Sequence, residues 1–122
     1  MVTSGMLKGS DLDAVAELAA AKGGPVYAIA FDMDIELLKQ HYGDPYNNAY
    51  GEIRKVLRKH GFNWQQGSVY FGDDKVNAVT CVLAAMDVSA TLRWFAPSVR
   101  DIRMLRIEEL NDLRPAVEQA AP

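Results

Sequence analysis

The stretch Val26–Asp34, read Val-Tyr-Ala-Ile-Ala-Phe-Asp-Met-Asp, limits what this chain can fold into more than any other segment. Tyr27, Ile29 and Phe31 alternate with Ala28 and Ala30, so both faces of an extended segment can be covered by packed elements. We read a core strand over Val26–Phe31 that stops on a carboxylate, Asp32. An acid at the mouth of a buried strand faces solvent while packing holds its backbone. A rigid scaffold presents a reactive group in this way. The same position also suits an ordinary turn or the cap of a following helix. The residues of this stretch leave both readings open.

Composition removes several classes. The 122 residues are 49% hydrophobic, enough for one domain with a real core. The formal net charge of −3 gives no global basic field of the kind that advertises nucleic acid, although a local patch stays available. Cys81 is the single cysteine and lies in an apolar segment. It cannot support a disulfide framework and reads as a small core residue in a reducing compartment. No apolar run reaches about 18 residues, so no membrane span is expected. No signal-peptide pattern opens the chain, which points to the cytoplasm. His41 and His60 stand without Cys or His partners at ligand spacing, so no metal motif is legible.

Residues 1–25 differ in composition from the rest of the chain and are read as an N-terminal extension to a domain over 26–122. Ser10-Asp11-Leu12-Asp13 can cap a helix to Ala21, with Leu12, Val15, Ala16, Leu18 and Ala19 on one face. Lys22-Gly23-Gly24-Pro25 ends it. Lys-Gly-Gly is also what a ribosome-binding sequence encodes when translated, and Val26 lies at start-codon distance from it. The native product is therefore expected to begin at Val26, with residues 1–25 a translated leader or an added segment.

From Val26 onward the pattern is strand, helix, strand, strand, helix, strand. A short helix is expected over Asp34–Tyr42, interrupted by Gly43-Asp44-Pro45. A second runs over Tyr46–His60, with apolar residues at three- and four-residue spacing and Gly61 as terminator. Phe62–Gln65 and Ser68–Phe71 read as strands meeting near Gln66-Gly67. A long helix runs from Gly72-Asp73-Asp74 to about Leu92, then a turn at Trp94–Pro97. Arg100–Ile107 is the last strand, with Ile102, Met104 and Arg106 on one face and Asp101, Arg103, Leu105 and Ile107 on the other. A terminal helix from about Glu108, perturbed by Pro115, completes the chain. This order is the split β-α-β pattern: an α+β, ferredoxin-like β-α-β-β-α-β fold with a four-stranded antiparallel sheet and an extra C-terminal helix. Helices cover one sheet face. The other needs cover, and a homodimer supplies it economically.

Several blocks, in order, resemble one family. They are Tyr27–Asp32, Tyr42-Gly-Asp-Pro-Tyr46-Asn-Asn-Ala-Tyr50, Gly61-Phe62, Gln66-Gly-Ser-Val-Tyr70 and Trp94-Phe-Ala-Pro-Ser98-Val-Arg100-Asp101-Ile-Arg103. Together they resemble the virulence-associated protein D (VapD) family over about Val26–Leu113. The resemblance implies a small bacterial endoribonuclease cutting single-stranded RNA, discussed as a toxin or persistence factor with an antitoxin protein as partner. It also implies a homodimeric ferredoxin-like fold related to the small CRISPR adaptation nuclease. In that wider group an Asp ending the first strand is the key acid, and Asp32 stands at the matching place. Residues 1–25 lie outside the family pattern.

RNA cleavage needs an activated 2′-hydroxyl or water, a stabilised phosphorane and a protonated or metal-held leaving oxygen. Asp32 is the expected catalytic residue, as a base or as a ligand for Mg²⁺ or another divalent cation. In a two-fold dimer two copies of Asp32 can share a metal or a proton. Asp34 is a second acid or the cap of the following helix. Ser68 and Tyr70 are candidate phosphate or leaving-group contacts, or ordinary outward-facing strand residues. Tyr42, Tyr46, Asn47 and Asn48 surround the turn and can stack on and read an unpaired base, although turn and capping chemistry also explains the polar ones. Arg54, Lys55, Arg58 and Lys59 form two i,i+4 basic pairs, with Arg54 and Arg58 the expected RNA contacts or part of a solvated face. Arg100 and Arg103 flank Asp101 as an internal ion pair. The competing reading is a non-catalytic RNA- or protein-binding dimer of the same fold. N-terminal sequencing of protein made from its native locus should begin at residue 26, and a product beginning at Met1 would overturn the leader assignment.

Overall fold

A computed structural model describes residues 25–122. The helix expected over Leu12–Ala21 and the leader assignment lie outside the described residues. The alternation at Tyr27, Ile29 and Phe31 yields the strand it predicts, two residues longer: β1 spans Val26–Met33. After it come α1 (Ile35–His41), α2 (Asn48–Lys59), β2 (Phe62–Gln66), β3 (Val69–Gly72), α3 (Ala78–Thr91), a one-turn α4 (Phe95–Ser98), β4 (Val99–Ile107) and α5 (Arg114–Ala120). The sheet order is β2-β3-β1-β4, and each neighbouring pair is antiparallel. This is the expected ferredoxin-like arrangement with α5 as the additional terminal helix.

The odd residues of β1 face the helices. Ile29, Phe31 and Met33 join Leu38 of α1, Ile53, Val56 and Leu57 of α2, and Cys81, Ala84 and Val88 of α3 in the main core. Phe31 stacks on Tyr70 with ring centroids 6.0 Å apart and meets Phe95 edge-on at 6.1 Å. Such pairs contribute roughly 0.5–1.5 kcal/mol each beyond area burial. Cys81 is buried and free as expected, and burial pushes its thiol pKa up.

The even residues of β1 face the other way. Val26 and Ala28 pack with Phe71, Val69 and Ile107 beneath Leu110. This face is therefore partly roofed by its own chain and not bare as the sequence suggested. Among the described residues no helix is long and apolar enough to cross a membrane.

Three further departures from expectation have local reasons. The helix expected from Gly72–Asp74 starts at Ala78. Gly72 is still in β3, and Asp73 turns the chain by accepting the Lys75 N–H at 2.9 Å. Asn77 then caps α3 reciprocally with Thr80. The terminal helix begins at Arg114 and not near Glu108, so Pro115 falls in its first turn, where a missing N–H costs nothing. Trp94–Pro97, read as a turn, leads into the single helical turn of α4.

Candidate active site

The β1–β4 register builds the site. Asp32 lies directly across from Asp101, and Ala30 from Arg103. Directly opposed residues share a face with Cβ atoms about 4.5–5.5 Å apart. Two carboxylates thus stand side by side at the end of the open sheet face. Immediately beyond, Met33 pairs with Val99, so Arg100 is the extra residue of a bulge. Bulges re-aim side chains, and here Arg100 turns back to the acids. Its Nη1 is 3.6 Å from Asp32 Oδ2 and its Nη2 is 3.5 Å from Asp34 Oδ2. Asp101 is gripped by Arg103, whose Nε donates to both oxygens at 3.0 and 3.1 Å. The ion pair read from the sequence therefore holds for Arg103, while Arg100 serves Asp32 and Asp34 instead.

Asp34 is the N-cap of α1. Its Oδ1 accepts the Leu37 N–H at 3.0 Å. That bond, together with the Arg100 guanidinium, holds its carboxyl below the usual range despite the opposing effect of burial. Asp32 makes no such commitment. Its side chain is 62% exposed, and its only ion pair among the described residues is the long contact with Arg100. A contact of that length and exposure adds little to stability, so Asp32 is free to work on a ligand.

Ser68 reaches the same sheet end through its backbone: its carbonyl accepts the Phe31 N–H at 3.1 Å. Trp64 fixes the adjoining turn by donating from Nε1 to the Gly67 carbonyl at 2.8 Å. Gly67 has φ +49°, which favours glycine at this turn. Tyr70 sits elsewhere. It is 1% exposed and lies across from Ile29 on the helix-covered face of the sheet, so the face read from the sequence as a phosphate contact is the buried one. Burial raises the Tyr70 pKa, against the effect of a hydrogen bond from Arg54.

The aromatic turn divides into structural and open parts. The Tyr42 hydroxyl donates to Glu52, and its ring meets Trp94 edge-on at 5.0 Å. Tyr42 thereby ties α1 to α2 and α4. Tyr46 carries the Lys39 ammonium 5.6 Å from its ring centre. Asn47 and Asn48 are exposed, and Asn47 holds the N-cap position of α2 with no side-chain capping bond. Tyr50, an apolar helix position in the sequence and the last residue of the Tyr42–Tyr50 block, is half-buried within the field of Asp32. Its phenol pKa is raised first by burial and then by the fields of Tyr46 and Asp32.

The basic pairs of α2 do not form one solvated face. Arg54 is half-buried, with its guanidinium 4.1 Å from the Trp64 ring centre and its Nε buried without a hydrogen-bond partner. Arg58 and Lys59 are exposed at the opposite end of the helix from the turn.

A divalent cation does not fit the described residues of one chain. They contain no group of three or more His, Cys, Asp or Glu that could hold a metal. The carboxylates of Asp32 and Asp34 already share the Arg100 guanidinium.

Comparison with known proteins places this geometry in a family. Residues 26–113 match the family model of CRISPR associated protein Cas2. The chain is 47% identical over 93 residues to the "Endoribonuclease VapD homolog" of Helicobacter pylori, covering 76% of this chain and 97% of that protein. It is 47% identical over 93 residues to "Endoribonuclease VapD 2" of Riemerella anatipestifer, covering 75% of this chain and 99% of that protein. It is 47% identical over 95 residues to "Endoribonuclease VapD" of Dichelobacter nodosus, covering 78% of this chain and 100% of that protein. By family model the chain belongs to the Cas2 family, and by similarity along the full domain to the VapD proteins.

The packing of Arg54 can be separated from any role in binding. Arg54→Ala should lower stability by about 1–2 kcal/mol, from the lost stacking of the guanidinium and its buried stem on Trp64. Arg58→Ala should stay within about 0.5 kcal/mol of the parent. Urea denaturation compares them, and equal midpoints for the parent and Arg54→Ala would show that the stacked guanidinium stabilises nothing.

Proposed function

We propose that this chain is an endoribonuclease that cuts single-stranded RNA at the end of β1, with Asp32 as its catalytic base. The observation that carries the reading is the register of Asp32 against Asp101, flanked by Arg100 and Arg103, in a chain whose relatives are named endoribonucleases. The exposed Asp32 carboxylate accepts the proton of the attacking hydroxyl or water. Asp101 faces it across the β1–β4 ladder, held by Arg103. Arg100 stands where negative charge gathers on the phosphorane and can hydrogen-bond two of its oxygens. Ser68 and the Tyr50 phenol, which stays protonated, are the hydroxyls at this end of the sheet. Tyr46, Asn47 and Asn48 form a rim on which an unpaired base can stack and hydrogen-bond.

The active form is a homodimer built on the open sheet face. Leu105, 42% exposed, adjoins the patch of Val26, Ala28, Val69, Phe71 and Ile107. A two-fold axis running along the strands through that patch would set the Asp32–Asp101 ends of the two chains at the same end of the interface, where they can share a cleft. Sedimentation at micromolar concentration should give twice the 13.5 kDa mass of the chain. A clean monomer would remove the shared cleft and leave each Asp32 to act alone.

Asp32→Asn tests the mechanism. Cleavage of single-stranded RNA should fall by a factor of roughly 100 or more, measured with and without Mg²⁺. Stability should hold within about 1 kcal/mol or rise slightly, because one of two facing like charges is gone. Cutting at the parental rate would move the activity to other residues. A parental chain that binds RNA without cutting it would establish the non-catalytic reading. An unfolded variant would make Asp32 a structural residue.

A further inference from the structure

One other place on the domain collects positive charge. Between the end of α2 and the start of α3 lies a cleft of about 360 Å³, lined by Arg58, Lys59, His60, Asp73, Lys75 and Thr80. It sits at the far end of the sheet from Asp32. Tyr50, in the first turn of α2, feels the Asp32 charge, and α2 then runs for 12 residues, about 18 Å. The register agrees: Phe62 pairs with Gly72, next to Phe71, which pairs with Ala28 near the start of β1.

The cleft is a fixed structure. Gly61, at φ +88°, lets the chain turn out of α2, and a side chain there would meet the Asp73 carboxylate at 2.8 Å. The Asp73 N–H donates to the Gly61 carbonyl at 2.9 Å, while its carboxylate accepts the Lys75 N–H. This places Lys75 opposite the end of α2. His60 is anchored by Asp87, with Nε2 2.7 Å from Oδ2, and the Thr91 hydroxyl donates to the other Asp87 oxygen at 2.8 Å. Lys59 stands 3.9 Å from the same carboxylate.

Arg58 and Lys75 are different, because among the described residues neither makes an ion pair. Two cations without ion pairs, with Lys59 and His60 beside them, face a cleft with one lining acid, Asp73, whose carboxylate accepts the Lys75 N–H. The positive end of the 14-residue helix α3 lies beside them. In a chain of net charge −3, such a cleft favours anions.

We propose that this cleft binds backbone phosphates of the RNA strand whose scissile bond lies at Asp32. The proposal rests on the endoribonuclease reading and adds a requirement for length. A strand must span about 18 Å to fill both places, so a fragment of a few nucleotides seated at Asp32 does not reach the cleft. Because the cleft offers charge and no base-reading groups, it should hold single-stranded DNA as well as RNA.

The test measures binding with the full chain carrying Asp32→Asn, so that cleavage does not interfere. The probes are single-stranded RNAs of about 12 and about 4 nucleotides. Adding Lys75→Ala or Arg58→Ala should weaken binding of the longer RNA roughly tenfold and reduce the slope of log affinity against log salt by about one. The shorter RNA should lose less than about twofold. Lys55→Ala removes an equal charge from α2 outside the cleft and should change the longer RNA by less than about twofold. Lys75→Arg should restore binding, and a single-stranded DNA of the same length should show the same losses. Equal losses from Lys55→Ala and Lys75→Ala would reduce the effect to a general field and overturn the site. So would equal losses for short and long RNA. Failure of the parental chain to cut RNA would sink the cleavage reading while leaving these affinities interpretable.

Discussion

The ladder between β1 and β4 is the constraint on which the site depends. It runs from Val26 opposite Ile107 to Met33 opposite Val99, with one irregularity after Asp32. A slip of one residue would send every side chain of β4 to the opposite face. Asp101 would then leave Asp32, and Ile102 would leave the core. The apolar core and the paired acids are thus fixed by the same register. The bulge adds a second consequence, because without an extra residue Arg100 would have no reason to swing back across the strand end.

Much of this was legible from the order of residues. The period of two in Tyr27, Ile29 and Phe31 locates Asp32 at a strand mouth, and the alternation in β4 assigns Asp101, Arg103, Leu105 and Ile107 to one face. Both follow from local geometry. The alliance of Asp101 with Asp32 was not legible, because the two are far apart in the chain and the flanking arginines offered a simpler partner. Tyr70 was misplaced for a related reason. Alternation groups every second residue of β3 on one face without saying which face is wet, and the register of Tyr70 opposite Ile29, which no short segment encodes, puts it under the helices. Arg54 shows the limit of helical spacing. It shares an i,i+4 pair with Arg58, yet Trp64 on β2 captures it and leaves Arg58 in solvent. His60 looked isolated because its partner Asp87 lies 27 residues away and meets it only when α2 and α3 pack.

The two ends of α2 divide the chemistry of the domain. At its start an aromatic and amide rim borders the acids, where a base could be read. At its end unpaired cations border a rigid turn. A flexible polymer threaded along this helix would be held by charge at one end and oriented by stacking at the other.

The edge position of β4 carries a different consequence. An exposed edge strand invites pairing with another chain, and charged side chains along it are the usual protection against fibrous growth. Arg100, Asp101, Arg103 and Arg106 crowd into its nine residues. The groups that shape the acidic pair therefore also act as gatekeepers of the sheet. Neutralising them does more than silence chemistry. It leaves a long strand with Ile102, Met104, Leu105 and Ile107 and fewer charges to keep neighbours away, so variants stripped of these charges become the most prone to aggregate when concentrated.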